Sequence, residues 1–525
     1  MTGRQARLTV SPLRATLFAV GVGLALMFVI FPTLPGSTEV GGRLVENHLH
    51  GEDVAAAVIV SLIAGAVLGV HLYLFQPREL DSVLRLFMLA LLIVVWVAAA
   101  KFFLAATLPD DDRRYLSYML PVAASPMLIA TLLDGSLAVA VAAVLALLTA
   151  FVAYYLPDAR ESLAGRPLDA LQMATTFLLG GLVGIFAVHR AERLNRYLVA
   201  GGAVTCVSFA VLVAFWLLSD GRDAAHPVWM IFSTGLGGFL SAVVVVGASV
   251  ILGLMFGITT RMQLMELAQM NHPLLRRLQE QAPGTFHHSV IVGNLAERAA
   301  DLIGADSLLV RVGCYFHDIG KVAKPVYYIE NQMQGENPHD KLAPSASARL
   351  VADHVSAGQE LARRHRVPTR VRAFIPEHHG TRLVTYFYRK AAIDDATTDP
   401  EKFRYPGPRP QSRETAIVML ADSVEAVVRS SRDRSADRID SLVDAVIAER
   451  VAEGQLDECD LTLRDLKTIG ESFKTTLRGV YHPRIEYPAP TAAERATAAV
   501  GRSPDPLPGP MDGTAPPIEV ERPSG

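Results

Sequence analysis

Eight apolar runs, each close to the thickness of a bilayer's hydrocarbon core, crowd into the first 258 of the chain's 525 residues. About 20 such residues in a helix cross a core of about 30 Å. The runs cover 15–34, 54–75, 83–107, 117–134, 136–156, 169–188, 197–218 and 228–258. Backbone polar groups in lipid must be satisfied within the segment, so long apolar runs of this kind fold as helices. The expected fold class is therefore all-α: a polytopic helical membrane domain, then a cytoplasmic all-helical domain. Arg4, Arg7 and Arg14 give the first run the basic flank of a signal peptide, but its length and the lack of a small-residue cleavage site favour a retained span. Leu133-Asp134-Gly135 alone separates the fourth run from the fifth.

Eight crossings return both termini to one side. Arg4, Arg7, Arg14, the Arg190/Arg193/Arg196 cluster and Arg261 then share the cytoplasmic face of a bacterial inner membrane. Asp110-Asp111-Asp112 beside Arg113-Arg114 falls on the other. Lys101, near one end of the third run, is expected to snorkel towards the interface. Gly180-Gly181, Gly201-Gly202 and Gly235/Gly237/Gly238 read as close helix packing. Paired intramembrane carboxylates and regularly broken helices are missing, which argues against a transporter.

The overall hydrophobic fraction of 51% conceals a division, because residues 259–525 have the composition of a soluble protein. A net charge of -3 provides no basic field for a nucleic acid polymer. Cys206, Cys314 and Cys459 are too scattered for a disulfide framework or a thiolate zinc site. Residues 259–282 form an amphipathic connector interrupted near Asn271-His272-Pro273, suited either to carrying a signal and setting a homodimer or to acting as a spacer. Helical segments then recur at about 287–304, 307–318, 344–366, 368–379, 411–431, 436–453 and 461–480.

Onto the apolar faces of those helices the sequence places His288, the pair His317-Asp318, His354, the pair His378-His379 and Asp422. Burying so many titratable groups is costly unless something compensates them, and a divalent metal compensates imidazole and carboxylate together. Ten of the 15 histidines follow residue 258. Five histidines and two aspartates suit two metals sharing one carboxylate, an arrangement able to serve both the attacking and the leaving oxygen of a phosphoryl displacement. Lys321 either meets a phosphate or is a solvated lysine at a helix end.

In this order the residues resemble the HD-domain metal-dependent phosphohydrolases. More narrowly, the chain resembles the seven-transmembrane HD family of PgpH-type bacterial cyclic-di-AMP phosphodiesterases. The matching text includes Asn271-His272-Pro273-Leu274-Leu275, Pro283-Gly284-Thr285-Phe286-His287-His288-Ser289 and His317-Asp318-Ile319-Gly320-Lys321. It continues through Ile329-Glu330-Asn331-Gln332, Asn337-Pro338-His339-Asp340, His378-His379-Gly380-Thr381, Tyr386-Phe387-Tyr388 and Met419-Leu420-Ala421-Asp422. The resemblance covers about 54–480.

It implies a dinuclear site of iron or manganese that opens cyclic di-AMP to pApA; His317, Asp318 and Lys321 are the expected catalytic group. By motif position, His288, His317, Asp318 and Asp422 hold one metal. His354, His378 and His379 hold the other, with Asp318 bridging; His288 rather than its neighbour His287 is the ligand. The family's large extracytoplasmic sensor domain has no counterpart here, where about 18 residues (35–53) separate the first span from the following seven. Gly380-Thr381-Arg382 also departs from the Gly-Tyr-Pro of the related family that cleaves cyclic di-GMP.

Segments 323–343 and 380–412 read as aromatic loops able to stack on adenine, with His339 a structural partner rather than a ligand. The expected organisation is 1–53 (stub, first span and short loop), 54–258 (seven-helix membrane domain), 259–282 (connector), 283–486 (HD domain) and 487–525 (disordered proline-rich tail). A receptor that binds a cyclic dinucleotide without cutting it is the alternative from another functional class.

Overall fold

The structure is a computed structural model and describes residues 3–30, 37–40, 43–46, 51–77, 79–107, 111–155, 167–188, 194–219, 222–332 and 337–480. The proline-rich tail, Asp110, Arg190 and Arg193 lie outside these residues. Eight helical segments are long and apolar enough to cross a membrane. The helices here are α1 (Gly3–Ile30), α2 (Gly51–Phe75), α3 (Val83–Thr107), α4 (Ala124–Leu132), α5 (Gly135–Tyr155), α6 (Pro167–Val188), α7 (Leu194–Leu218) and α8 (His226–Phe256). Their outward faces carry large apolar side chains such as Leu17, Phe28, Phe102, Phe186 and Leu254. A water-soluble bundle would bury these; a bilayer leaves them exposed at no cost.

Between α1 and α2 the chain forms a small antiparallel hairpin, β1 (Ser37–Val40) with β2 (Arg43–Glu46). It is the one departure from helix among the described elements. The fourth span also differs from a plain 117–134 helix. Its α-helix has only nine residues, a rise of about 14 Å, preceded by a 3-10 stretch over Asp111–Met119. This irregular backbone is tolerated because the segment is packed inside the bundle, 72% of it buried. At the boundary with α5, the Asp134 carboxylate accepts from the Ser136 and Leu137 N–H groups at 2.7 and 3.1 Å. Asp134-Gly135 is thus a helix cap that divides two spans.

The glycine pairs mostly mark close packing. A Cβ on Gly201 or on Gly238 would strike the backbone of the other helix, whereas Gly202 and Gly235 face open space. Lys101 corrects an expectation. It does not snorkel: it is buried, and its ammonium donates to the carbonyls of Val29 and Ile30 at 3.0 and 3.1 Å. These are carbonyls that the end of α1 leaves without helical partners, so the lysine caps that end.

After α8 the connector breaks as expected into α9 (Arg261–Leu267) and α10 (Pro273–Gln281). Thr260 starts α9 with a capping box closed by Gln263, and the His272 side chain caps α10. The soluble half then comprises α11 (Pro283–Leu302), α12 (Ser307–Phe316), α13 (Pro344–Arg364), α14 (Thr369–Arg372), α15 (Phe374–Glu377), α16 (Thr385–Asp394), α17 (Arg413–Ser430), α18 (Ala436–Ala452) and α19 (Leu463–Val480). The helix α16 lies inside 380–412, which the sequence suggests is loop; Phe387 is its one buried side chain, too weak an apolar pattern to announce a helix.

The soluble core joins Leu295, Val312, Phe316, Phe374, Ile417, Val424 and Phe473, all almost fully buried. Each such side chain contributes about 1.5–3 kcal/mol by leaving water. Together they fix α11, α12, α15 and α17 around one centre, where His288, His317, His378 and Asp422 are buried.

Candidate metal centre

The apolar face of α12 ends at Phe316, and the backbone tightens into the 3-10 turn Ile319–Ala323. His317 and Asp318 occupy the junction, both buried. Gly320 is obligatory there, because a Cβ would collide with the His354 carbonyl on α13. That close approach brings His354 to Asp318: His354 Nε2 lies 3.3 Å from Asp318 Oδ1, and His378 Nε2 from the end of α15 lies 3.6 Å from the same oxygen. On the opposite side, Asp318 Oδ2 lies 3.2 Å from His317 Nε2 and 3.9 Å from His288 Nε2 of α11. Asp422 of α17 completes that side, with Oδ1 at 3.0 Å from His288 Nε2 and 3.9 Å from His317 Nε2.

Two groups of potential metal donors result. Asp318, His354, His378 and His379 form one; His288, His317 and Asp422 form the other. In each, the ligand atoms lie within 4.8 Å of one another. Asp318 directs one oxygen towards each group, the geometry of a bridging carboxylate. All seven residues named from the sequence converge, and His287 is exposed while His288 is buried.

Hydrogen bonds on the far side of the rings fix their orientation. His317 Nδ1 donates to the Cys314 carbonyl at 2.6 Å, His354 Nδ1 to Val351 at 2.6 Å and His378 Nδ1 to Ile375 at 2.8 Å. With the proton committed to Nδ1, each Nε2 lone pair points to the centre. His317 Nε2, His354 Nε2, His378 Nε2, His379 Nδ1 and Asp318 Oδ1 are buried with no hydrogen-bond partner. Buried polar atoms are rarely left so. Five of them aimed at one small volume fit divalent cations.

The electrostatics point the same way. Burial pushes His378 down to about 3, with His317 adding to the effect. His379 falls well below the ordinary imidazole range through burial and its neighbour His378, and His354 is lowered mainly by burial. These rings are neutral, as ligands must be. Burial opposes charge on Asp318 and Asp422, yet both carboxyls are held well below their usual range, Asp318 by Lys321 and His317, Asp422 by His288. His288 is the exception among the imidazoles: hydrogen bonds to Asp422 and Glu425 outweigh its burial and raise it to about 9.

Lys321 differs from both of its sequence-level alternatives. Its ammonium bonds Asp318 Oδ2 at 2.7 Å and Glu330 Oε1 at 2.8 Å, and lies over the Tyr328 ring. It is mostly buried and committed to two carboxylates, bracing the bridging one. Glu330 in turn accepts from the Thr285 hydroxyl at 3.0 Å. His339 Nε2 donates to the Tyr327 carbonyl at 2.9 Å, its ring packs on Phe387, and it belongs to neither donor group.

Sequence reading did not single out Glu425, which bonds His288 Nδ1 at 2.6 Å while fully buried. The signal was available: Asp422, Glu425 and Arg429 fall on one face of α17, and Arg429 pairs with Glu425 at 3.2 Å. Tyr405 stacks on the His379 ring at 4.1 Å between centroids. Beside the donor group that contains His354, a cleft of ≈ 350 Å³ is lined by Lys324, Tyr328, Asp353, His354 and Ser356.

Residues 53–260 match the family model described as "7TM receptor with intracellular HD hydrolase", and residues 285–427 match the HD domain. The HD match and the two donor groups together mark a divalent-metal domain. The cyclic-di-AMP phosphodiesterase PgpH of Bacillus subtilis is 36% identical over 381 residues, 72% of this chain and 52% of that protein. The protein of the same name from Listeria monocytogenes is 36% identical over 448 residues, 85% of this chain and 60% of that protein. This chain therefore spans between half and three-fifths of these relatives' length. The crystallised HD domain of L. monocytogenes PgpH in complex with cyclic di-AMP is 46% identical and is covered in full by 41% of this chain, at a TM-score of 0.40. The chain is a multi-pass membrane protein and belongs to the family of seven-transmembrane proteins that carry an HD domain.

Proposed function

We propose that the protein is a membrane-anchored, metal-dependent phosphodiesterase that hydrolyses cyclic di-AMP to pApA. The observation that carries this is the convergence of five partnerless buried donor atoms around Asp318. The activity named for the two PgpH relatives supplies the substrate. His288, His317, Asp318 and Asp422 hold one cation, manganese or iron, and Asp318, His354, His378 and His379 hold the second. Two such ions supply Lewis acidity to a phosphoryl oxygen and acidify a bound water.

The chain's own residues do the rest. Asp318, kept ionised by Lys321, sets the spacing of the two donor groups. Glu425 orients His288, and the backbone carbonyls of Cys314, Val351 and Ile375 orient three further rings. The Tyr328-lined cleft next to His354 is where a nucleotide base stacks. The division proposed is a stub, first span and short loop at 1–53, membrane domain at 54–258, connector at 259–282, HD domain at 283–486 and a tail beyond. The HD domain faces the cytoplasm of a bacterial inner membrane. A second copy has the half-exposed Met265 and Met270 of the connector region to pack on.

The test is turnover by the purified full chain with Mn²⁺ over a panel of cyclic dinucleotides. Conversion of cyclic di-AMP to pApA, abolished by a chelator and restored by Mn²⁺, is expected. A chain that binds cyclic di-AMP and metal but yields no pApA is a receptor, and the proposal fails.

A further inference from the structure

Where α8 leaves the membrane, its last turn and the HD domain enclose a cleft of ≈ 250 Å³. One wall is Leu254 and Ile258; the other is Arg363, Arg366, Val367 and Arg372. The HD wall comes from a ten-residue stretch, 363–372, holding five arginines.

Their carboxylate partners are too few. Arg363 and Arg364 share Glu360, and Arg370 reaches Asp306 at 3.8 Å. Among the described residues neither Arg366 nor Arg372 pairs with a carboxylate. Arg372 donates to the Thr369 hydroxyl at 3.0 Å, while its Nε is buried without a partner. Arg366 adopts φ 56°, the only non-glycine with positive φ among the described residues. It occupies the helix-closing position at the end of α13, where the Val367 N–H reaches back to the Ala362 carbonyl at 2.9 Å. Glycine is the usual residue at such a turn. The chain instead carries a cation there, at a backbone strain that glycine would avoid.

The rim of the cleft has the opposite character. Ile251, Leu254 and Met255 on the last turns of α8 are 58%, 67% and 68% exposed. A cationic floor below an apolar wall at the level where a spanning helix ends matches an amphiphile rather than a free anion.

We infer that this cleft binds the phosphate headgroup of an anionic phospholipid from the leaflet on the HD-domain side, with Arg363, Arg366 and Arg372 as its cationic contacts. The acyl chains lie along Ile251, Leu254 and Met255. The site needs no catalysis, so it stands or falls separately from the hydrolytic activity. Its position also matters: Arg363 lies in the last turn of the helix that carries His354, and Arg372 ends α14, which leads through α15 to His378-His379. A headgroup seated here holds the outer ends of both segments against the membrane.

The experiment uses the full chain in mild detergent, titrated with short-chain phosphatidylglycerol or phosphatidylcholine and read by native mass spectrometry. The native chain is expected to retain phosphatidylglycerol at least tenfold more tightly than phosphatidylcholine. R363Q/R366Q/R372Q is expected to lose that preference, while R432Q/R438Q/R464Q, an equal charge loss elsewhere on the exposed HD surface, keeps it. If the glutamine variant does not fold, R363K/R366K/R372K carries the test, and a folded lysine variant is expected to retain the preference. Four results overturn the inference: equal binding of the two lipids, an undiminished preference in the folded glutamine variant, a lost preference in the folded lysine variant, or displacement of the lipid by millimolar inorganic phosphate.

Discussion

The two halves of this molecule bury polar atoms in opposite ways. In the membrane half the buried hydroxyls mostly turn back on their own helices: Thr149 donates to Leu145, Thr234 to Met230 and Ser241 to Gly237, each at 2.7 Å. These bonds are satisfied locally and ask nothing of a ligand. In the HD half, ionisable groups from four helices and the turns between them face one another with lone pairs left over. An unmet donor set is costly to bury, so it persists where something else completes it. The membrane half also leaves isolated atoms unmet, such as Ser61 Oγ and Trp96 Nε1, but in the HD half they converge on one small volume; function is located by that convergence, more than by which half is more polar.

Asp318→Asn gives the largest test of that contrast. The amide has nearly the same shape but no charge, and it replaces the one carboxylate that addresses both donor groups. Turnover is expected to fall below detection, and metal content measured by elemental analysis to drop at both sites. Should the variant keep two metals and full activity, Asp318 is not a bridge and the centre is wrongly drawn. Glu425→Gln follows. It retains a hydrogen bond to His288 Nδ1 but loses the charge, and outer-sphere changes of this kind typically weaken metal binding by about 10–100-fold. Titration of the apo-protein with Mn²⁺ measures it; an unchanged affinity removes Glu425 from the site.

A smaller effect is read from pH. Without metal, His288 keeps its proton up to about 9. A cation binding at its Nε2 must expel that proton at any lower pH. Affinity for the group of His288, His317 and Asp422 should therefore rise with pH by about tenfold per unit and level off near 9. Because Glu425 is among the groups that raise His288, the plateau in Glu425→Gln should begin at lower pH. Proton release during metal titration in buffers of different ionisation enthalpy checks the sign.

How much of this the sequence disclosed follows from the length scale of each interaction. The eight spans and the HD helices were legible because apolar periodicity is a local signal written over 10–25 residues. The seven donors were legible because each interrupts an apolar helix face with a titratable side chain. Glu425 escaped notice because a carboxylate on α17 looks like any helical glutamate until α11 brings His288 against it. Lys321 was open to two interpretations because its partner Glu330 lies nine residues away across a turn with no periodicity. Lys101 misled for a similar reason: the α1 carbonyls it caps are 71 and 72 residues distant, so only folding shows that it need not reach the interface. The short α4 was hidden because composition cannot distinguish a 3-10 stretch from an α-helical one.

The smallest expected effect is the one that sharpens the comparison most. Thr234 is buried among α7 and α8, and its hydroxyl is committed to the Met230 carbonyl one turn back. Thr234→Val keeps the branched shape and removes that bond together with its weak 3.5 Å contact to the Ile231 carbonyl. The Met230 carbonyl stays in the helix ladder, so no group is left newly orphaned. The stability change by thermal unfolding should be about 0.5 kcal/mol or less, in the range of hydrogen bonds measured inside membrane proteins. Metal content and turnover should be unaltered. A large loss of either would mean that the membrane interior also carries a demand on the catalytic half, and the division between a bundle whose hydroxyls bond locally and a metal site of converging donors would have to be abandoned.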